Sequence, residues 1–273
     1  MASIQYLKKK LRGILSTQKL AKAMKTVSTV KFSRLNSIYG KFSAYGKQCA
    51  ALYEAYRKET AAFLPPAADD APVCMVILGA DKGLCGNFNT DLFTFALSKI
   101  REEDAPYIIT CGKKAVTYFK EKKIPVDQTF FFGDTPAYDD AGHLLKELIR
   151  LRAERRISAV RIIYPRYRNM MLQMPTLQEL FEAGESKDVA GEETLFFPDR
   201  ETFIGKSAKE IFQSMLYQML LETALGAQAA TLMTMRSAYD TATEYRTQLE
   251  SQINRERQSA VTADVIETSS ERE

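Results

Sequence analysis

The stretch that decides the fold is residues 4–56, IQYLKKKLRGILSTQKLAKAMKTVSTVKFSRLNSIYGKFSAYGKQCAALYEAY, which contains no proline. One mostly apolar row recurs every seven residues along it: Leu7, Ile14, Ala21, Ser28, Leu35, Phe42, Cys49 and Tyr56. Further apolar residues between these positions give a spacing of three and four, which is typical of the contact face of a coiled-coil helix. The stretch therefore predicts one helix about 80 Å long at a rise of about 1.5 Å per residue.

The other end of the chain carries the same kind of pattern. From Lys206 to about Glu267 there is no proline, and Gly226 is the only glycine. The apolar row here comprises Leu225, Ala229, Leu232, Met235, Tyr239, Ala242, Leu249 and Ile253. Arg246 occupies a position of this row where a core residue is expected. Two such helices at opposite ends of a chain bury their apolar faces by pairing antiparallel, so an antiparallel coiled coil is predicted.

Between the two helices, strand patterns alternate with helix patterns. Short apolar runs predict strands at 73–78, 107–111, 128–132, 160–164 and 170–174, with helices at 89–101, 115–122 and 141–155. This alternation predicts a doubly wound, mostly parallel, Rossmann-like α/β domain inserted between the helices. The predicted domains are an N-terminal long helix over 1–60, the α/β domain over 70–200, and a C-terminal long helix over 205–268.

Charge is distributed unevenly, although the net charge is only +4. No acidic residue precedes Glu54, whereas eleven lysines and arginines lie before it. A purely basic arm implies an acidic partner, which could be protein, nucleic acid or anionic lipid. The chain has one histidine and no CxxC pair, so we expect no metal site, no cofactor and reduced cysteines. No apolar run approaches the length of a membrane span, and the N-terminal residues do not fit a secretory signal.

A glycine-rich loop, GADKGLCG at 79–86, follows the first predicted strand. Its spacing fits neither GxGxxG nor GxxxxGK[ST], which favours a tight strand-to-helix turn over a nucleotide site. Two alternative functions remain open from the residues alone. They are a dinucleotide-dependent α/β enzyme that uses this loop, and a basic coiled-coil protein that binds nucleic acid.

Four separated stretches resemble the γ subunits of F-type ATP synthases. They are ILSTQKLAKAMKTVSTVKFSRL at 14–35, GADKGLCGNFN at 79–89, YRNMMLQMPTLQEL at 167–180, and GAQAATLMTMRSAYDTATEY at 226–245 with NRERQSAVTADVIE at 254–267. Their order matches the family, and together they span nearly the whole chain.

The resemblance implies a rotating central stalk with no catalytic site, cofactor, metal or small-molecule substrate of its own. In the family, the helix pair enters a ring of six alternating α and β subunits. The α/β domain lies as a foot on the membrane ring of c subunits, beside ε. Rotation then couples ion flow through the c ring to conformational change at the catalytic sites on β. The implied location is peripheral, on the cytoplasmic face of a bacterial plasma membrane, with acidic β loops rather than nucleic acid as the partner of the basic arm.

The resemblance also implies roles for individual residues. Expected to contact partners and affect coupling are Met24, Lys8, Lys9, Lys82, Arg257, Gln258, Thr262 and Asp264. Expected in the foot near the c ring are Thr194, Phe197 and Asp199. The chain departs from the family at residues 268–273, TSSERE, where an apolar tip is usual, and a charged tip is a poor fit to an apolar sleeve. There is no cysteine-bearing insert of the chloroplast kind, and we expect no thiol switch.

Overall fold

A computed structural model describes residues 2–66, 70–181 and 199–270. The elements in chain order are α1 (Ala2–Ala55), α2 (Arg57–Ala62), β1 (Cys74–Leu78), α3 (Phe88–Ile100), β2 (Tyr107–Cys111), α4 (Lys113–Glu121), β3 (Gln128–Phe130), α5 (Tyr138–Ala153), β4 (Val160–Tyr167), β5 (Gln173–Glu179) and α6 (Arg200–Ser270). The chain divides into two compact units. The coiled-coil unit comprises Met1–Val30 with Thr231–Glu273, and the α/β unit comprises Lys31–Ala230. None of the helices described here combines the length and apolar character needed to cross a membrane.

The α/β unit is built on a five-stranded sheet of order β3-β2-β1-β4-β5. The first four strands in this order are parallel to their neighbours, and β5 pairs antiparallel with β4 at the edge. Chain order and spatial order thus differ as in a doubly wound fold, with connections leaving β1 in both directions. The predicted fold class is confirmed.

Helices cover both faces of this sheet. Met75 and Ile77 of β1 pack with Leu92 of α3 and Phe119 of α4 on one face. On the other face, β1 residues pack against α5, the second half of α1 and the first half of α6. The buried side chains of that layer include Val76, Leu78, Leu144, Leu148, Leu35, Tyr53, Phe212, Leu216 and Leu220. Because β1 is buried on both faces, its sequence is a continuous apolar run rather than an alternating one.

In the coiled-coil unit the two long helices run antiparallel. Gln18 donates a hydrogen bond of 2.8 Å from Nε2 to Oγ1 of Thr243. The Lys25 ammonium lies 4.9 Å from the centre of the Tyr239 ring. Residue numbers therefore rise along α1 as they fall along α6. The predicted contact rows are buried in this unit at Leu7, Ala21, Ser28, Met235, Ala242 and Leu249.

In the α/β unit the same two helices also run antiparallel, and polar contacts join them. The Tyr39 hydroxyl donates to Glu222 at 3.3 Å, and the Tyr45 hydroxyl donates to Glu210 at 3.1 Å. Glu222 is buried and also accepts a hydrogen bond from the backbone N–H of Tyr167 at 3.1 Å. This carboxylate therefore ties α1 and the end of β4 to α6. Burial, followed by the Glu222 charge and hydrogen bond, raises the pKa of Tyr39 to about 12.

One detail of the sequence prediction is wrong. The fifth strand runs over Gln173–Glu179 rather than 170–174. The reason is a turn at Asn169, whose side-chain oxygen accepts hydrogen bonds from the N–H groups of Met171 and Leu172 at 2.9 and 3.0 Å. Arg246, which interrupts the apolar row of α6, is exposed and pairs with Glu250 one turn on, at 2.9 Å.

Candidate partner interface

The loop between β1 and α3 is held in a shape that its glycines permit. Gly112 at the start of α4 has a φ of +100°, and a Cβ there would lie 2.4 Å from the carbonyl oxygen of Gly79. A Cβ on Gly79 would in turn lie 2.8 Å from the Phe93 ring. Only glycine fits such approaches of backbone to backbone and of backbone to ring. The loop then projects Leu84 outward, with φ +65° and the residue 56% exposed.

Polar groups of this loop bond to one another and to the next helix. The Ala80 N–H donates to Oδ1 of Asn89 at 3.2 Å, and Asn89 Nδ2 donates to the Lys82 carbonyl at 3.3 Å. Oδ1 of Asp81 accepts from the N–H of Lys113 at 3.0 Å, at the first turn of α4. These bonds engage the Ala80 N–H, a donor of the kind with which a phosphate-binding loop would hold its ligand. They support the interpretation of the loop as a braced turn.

The loop also packs onto α6 within the α/β unit. Cys85 and Phe88 form a small buried cluster with Ala227. A Cβ on Gly226 would lie 3.0 Å from both Phe88 Cε2 and Gln173 Cγ, so the loop and the start of β5 meet over the same turn of α6. Burial raises the pKa of the Cys85 thiol despite opposing hydrogen bonds.

An ionic triad lies beside the loop. Asp134, in the connection between β3 and α5, accepts a hydrogen bond of 2.5 Å from Lys82 Nζ and a second one from Lys31 Nζ, both on Oδ2. Burial acts to raise the pKa of Asp134, but the hydrogen bonds and charges of the two lysines outweigh it and lower the pKa. The hydrogen bond to Asp134 is the main cause of a raised pKa at Lys82. Asp134 and Lys82 are therefore charged at neutral pH.

The structure places the other predicted site residues as follows. Lys8 and Lys9 are exposed on α1, and Met24 is half-buried there. On α6, Arg257, Gln258 and Thr262 are exposed, and the Thr262 hydroxyl donates to the Gln258 carbonyl at 2.9 Å. Asp264 lies on α6, but its side chain is outside the described part of the chain, as are Thr194 and Phe197. Asp199 is exposed and caps α6, accepting from the Thr202 N–H at 2.8 Å.

These residues are distributed over both units. Lys82 and Asp199 belong to the α/β unit, and the others whose side chains are described belong to the coiled-coil unit. Their roles toward partners stay predictions. Considering only described residues, no ion pair joins Lys8, Lys9 or Lys22 to a carboxylate, so these ammonium groups face solvent.

Sequence reasoning missed three surface features. Asp134 and its pairing with Lys31 have no local sequence signal, because the partners are 103 residues apart. An exposed apolar group lies near the end of α6, at Val261, Val265 and Ile266. The tip of the β4–β5 hairpin exposes Met171 and Leu172. A count of apolar residues outside the predicted rows would have found the second and third features.

Two helices of 54 and 71 residues, with a mostly parallel sheet encoded between them, define a coiled-coil protein with an α/β insertion. A profile of the ATP synthase family matches residues 3–270, and the chain belongs to this family. The resemblance carried by the four sequence stretches is thereby confirmed.

Individual relatives align with this chain over nearly its full length. The ATP synthase gamma chain of Desulfitobacterium hafniense is 28% identical over 272 residues, which cover 98% of this chain and 97% of the relative. That of Rubrobacter xylanophilus is 26% identical over 279 residues, covering 98% and 96%. A chain in the rotor of the Euglena gracilis mitochondrial ATP synthase shares the fold, with a TM-score of 0.66 at 18% identity, over 95% of this chain and 99% of that one.

Proposed function

We propose that this chain is the central-stalk rotor subunit of an F-type ATP synthase. It couples ion flow through a membrane c ring to conformational change at catalytic sites on β subunits. The observation that carries this proposal is the family match over residues 3–270, together with relatives named ATP synthase gamma chain that align over nearly their whole length. The partners are then the α and β subunits, ε and the c ring.

The construction of the α/β unit suits a part that receives torque. Leu35 and Tyr53 of α1 and Phe212 of α6 are fully buried in one core with the strands. Protein interiors are close-packed and transmit strain, so a turning force on the sheet reaches both helices without passing through a flexible linker. Both helices that take part in this core are long, with 54 residues in α1 and 71 in α6.

Partner contacts are proposed at the exposed charged and apolar side chains. Lys82 and Leu84 project from the braced loop, and Lys8 and Lys9 face solvent on α1. An acidic partner surface suits the cations, because like-charged surfaces repel and opposite ones steer association. Near the end of α6 the exposed apolar side chains suit a less polar partner surface. We propose that Val261, Val265 and Ile266, rather than the charged residues after 267, contact a partner at this end of α6.

The proposed subunit is non-catalytic, and the complex to which it belongs carries the catalytic sites on β. This is supported by the internal use of the loop groups at Ala80, Asp81 and Asn89, which leaves the loop braced by its own side chains. We place the chain as a peripheral component on the cytoplasmic face of a bacterial plasma membrane, since many of its relatives are bacterial.

Reconstitution tests the proposal directly. The tagged chain is expressed with the α and β subunits of the same organism, and the complex is isolated by the tag. We expect one copy of the chain per ring and ATP hydrolysis that depends on it. A chain that fails to bring down α and β, or that purifies as an active monomeric enzyme, would overturn the rotor assignment. A thermal shift of the isolated chain with dinucleotide, or tight salt-sensitive binding to duplex DNA, would favour the two alternatives instead.

A further inference from the structure

The ionic triad beside the loop contains more positive than negative charge. Lys31 and Lys82 both contact the same oxygen of Asp134, so one carboxylate serves two ammonium groups. The triad therefore carries a net charge of +1, and its two cations lie within a few ångströms of each other. No other carboxylate of the described residues forms an ion pair with either lysine; the nearby Asp81 is bonded to the backbone of α4.

The two lysines differ in how firmly they are held. Lys31 lies on α1, one turn before Leu35, which is fully buried; its side chain is 35% exposed. Lys82 lies on the projecting loop, and its side chain is 67% exposed. An ion pair this exposed contributes little net free energy, because water competes for both charges and the long side chain is ordered by the contact. Lys82 can therefore leave Asp134 at small cost when another carboxylate is offered.

We infer that Asp134 is a positioning residue that holds Lys82 while no partner is bound, and that an acidic protein surface takes Lys82 over from it. Lys31 stays on Asp134 and neutralises it after the exchange. This inference rests on the proposed function, in which an acidic subunit surface passes the loop. Asp134 thereby sets the strength of the contact: it competes with the partner for Lys82, and it keeps the contact weak enough to be broken and remade as the rotor turns.

If Asp134 competes with the partner for Lys82, removing its charge should raise the affinity for the partner. If Asp134 only shapes the loop, the same change should lower it. Replacing Asp134 by Asn keeps the size and an acceptor oxygen, but leaves two uncompensated cations at this site. Their mutual repulsion directs Lys82 outward, and the net charge of the triad rises from +1 to +2. The variant should bind an acidic partner more tightly, whereas loss of a contact that only shapes the loop should weaken binding.

The test measures the affinity of the labelled full-length chain for its α and β subunits. The complex is assembled from all three at several salt concentrations. We expect Asp134→Asn to raise affinity about two- to fivefold at low salt, in the range of an exposed ion pair, and the gain to fade at high salt. Lys82→Gln should lower affinity by a similar factor. The double variant should match Lys82→Gln, because Asp134 acts only through that lysine. Glu121→Gln, at an exposed carboxylate on α4, changes the net charge equally and should leave affinity unchanged.

A further variant guards against misfolding of Asp134→Asn. Lys31→Gln leaves Asp134 to Lys82 alone, so the exchange becomes harder and affinity should fall although Lys31 is not expected to touch the partner. Reduced or unchanged affinity of a folded Asp134→Asn variant would overturn the inference, as would a double variant that still binds more tightly than the wild type. Failure of the wild-type chain to assemble would instead contradict the proposed function, so the two failures are distinguished by the wild type alone.

Discussion

Three glycines of the α/β unit should respond in three different ways to substitution by alanine. Gly112 has a φ of +100°, and its Cβ would lie 2.4 Å from the Gly79 oxygen and 2.9 Å from the Gly79 carbonyl carbon. Gly133 has a φ of +69° with nothing within 4 Å of a Cβ. Gly40 lies in α1, exposed, with nothing within 4 Å and an ordinary helical backbone. Comparing the three separates backbone strain from steric overlap.

The magnitudes follow from these geometries. An alanine held in a left-handed backbone conformation destabilises the fold by about 1–2 kcal/mol. Gly133→Ala should lower the free energy of unfolding by this amount and no more. Gly112→Ala adds an overlap with backbone atoms, which rotamer changes cannot relieve, and forced repacking costs a further 1–3 kcal/mol or so. We expect a total loss of about 3 kcal/mol. Gly40→Ala should gain up to about 1 kcal/mol, because alanine has the higher helix propensity.

Tyrosine fluorescence during urea unfolding is a suitable assay. Ten of the thirteen tyrosines lie within residues 31–230, and the chain has no tryptophan, so the signal reports mainly on the α/β unit. In thermal unfolding, 3 kcal/mol corresponds to a decrease of about 6–12 °C for a unit of this size. If Gly112→Ala lowers the free energy of unfolding no more than Gly133→Ala does, Gly112 is not tightly packed against Gly79, and the reasoning is refuted.

Three further predictions concern coupling, pH and thiol reactivity. Met24→Lys introduces a charge at a half-buried position, and should reduce the ratio of proton pumping to ATP hydrolysis in the reconstituted complex more than it lowers stability; unchanged pumping and hydrolysis would count against a coupling role. Because the pKa of Asp134 is lowered in the folded chain, its charge stabilises the fold above the unfolded value of about 3.9, and this contribution is lost as pH falls through the lower folded pKa. The stability difference between wild type and Asp134→Asn should thus be constant from pH 6 to 8 and shrink below about pH 4; a difference that persists at pH 2 contradicts this. Burial raises the pKa of the Cys74 and Cys111 thiols, so a thiol reagent at pH 8 should label them only after urea is added, and rapid labelling of either in the native chain would show that its strand opens.

The long helices were predictable because their signal is repeated. A row with period seven from Leu7 to Cys49 samples the same face of α1 many times, so a single polar residue such as Ser28 does not obscure the pattern. Ser28 is in fact buried in that row. The doubly wound sheet was predictable for a similar reason, since strands buried on both faces are apolar without interruption.

The position of β5 could not be obtained in this way. Residues 170–174 are as apolar as a strand, but Asn169 folds the chain into a turn there, and the strand begins only at Gln173. Proline is unfavourable inside a sheet, yet Pro175 fits because β5 lies at the edge and pairs with β4 on one side only, opposite Pro165. The period of apolar residues contains neither the local hydrogen bonds of a turn nor the place of a strand in a sheet.

The candidate interface was also predictable only in part. Lys82 could be selected from the family resemblance, whereas its contact with Asp134 joins residues 52 positions apart and follows only from the packed structure. Arg246 had the right spacing for a buried row, but a position in a heptad gives the direction of a side chain and not the presence of a neighbour to cover it. Its guanidinium instead finds Glu250 on the same helix.

α1, α6 and the sheet share one core, and this limits how a smaller rotor could be designed. Removing the α/β insertion and joining the helices directly would expose Leu35, Tyr53, Phe212 and Leu216 to water, although all four are within the helices that such a design keeps. Each large apolar side chain loses about 1.5–3 kcal/mol when its burial is lost. A minimal shaft would therefore need polar replacements along these stretches, because the helices share their core with the insertion.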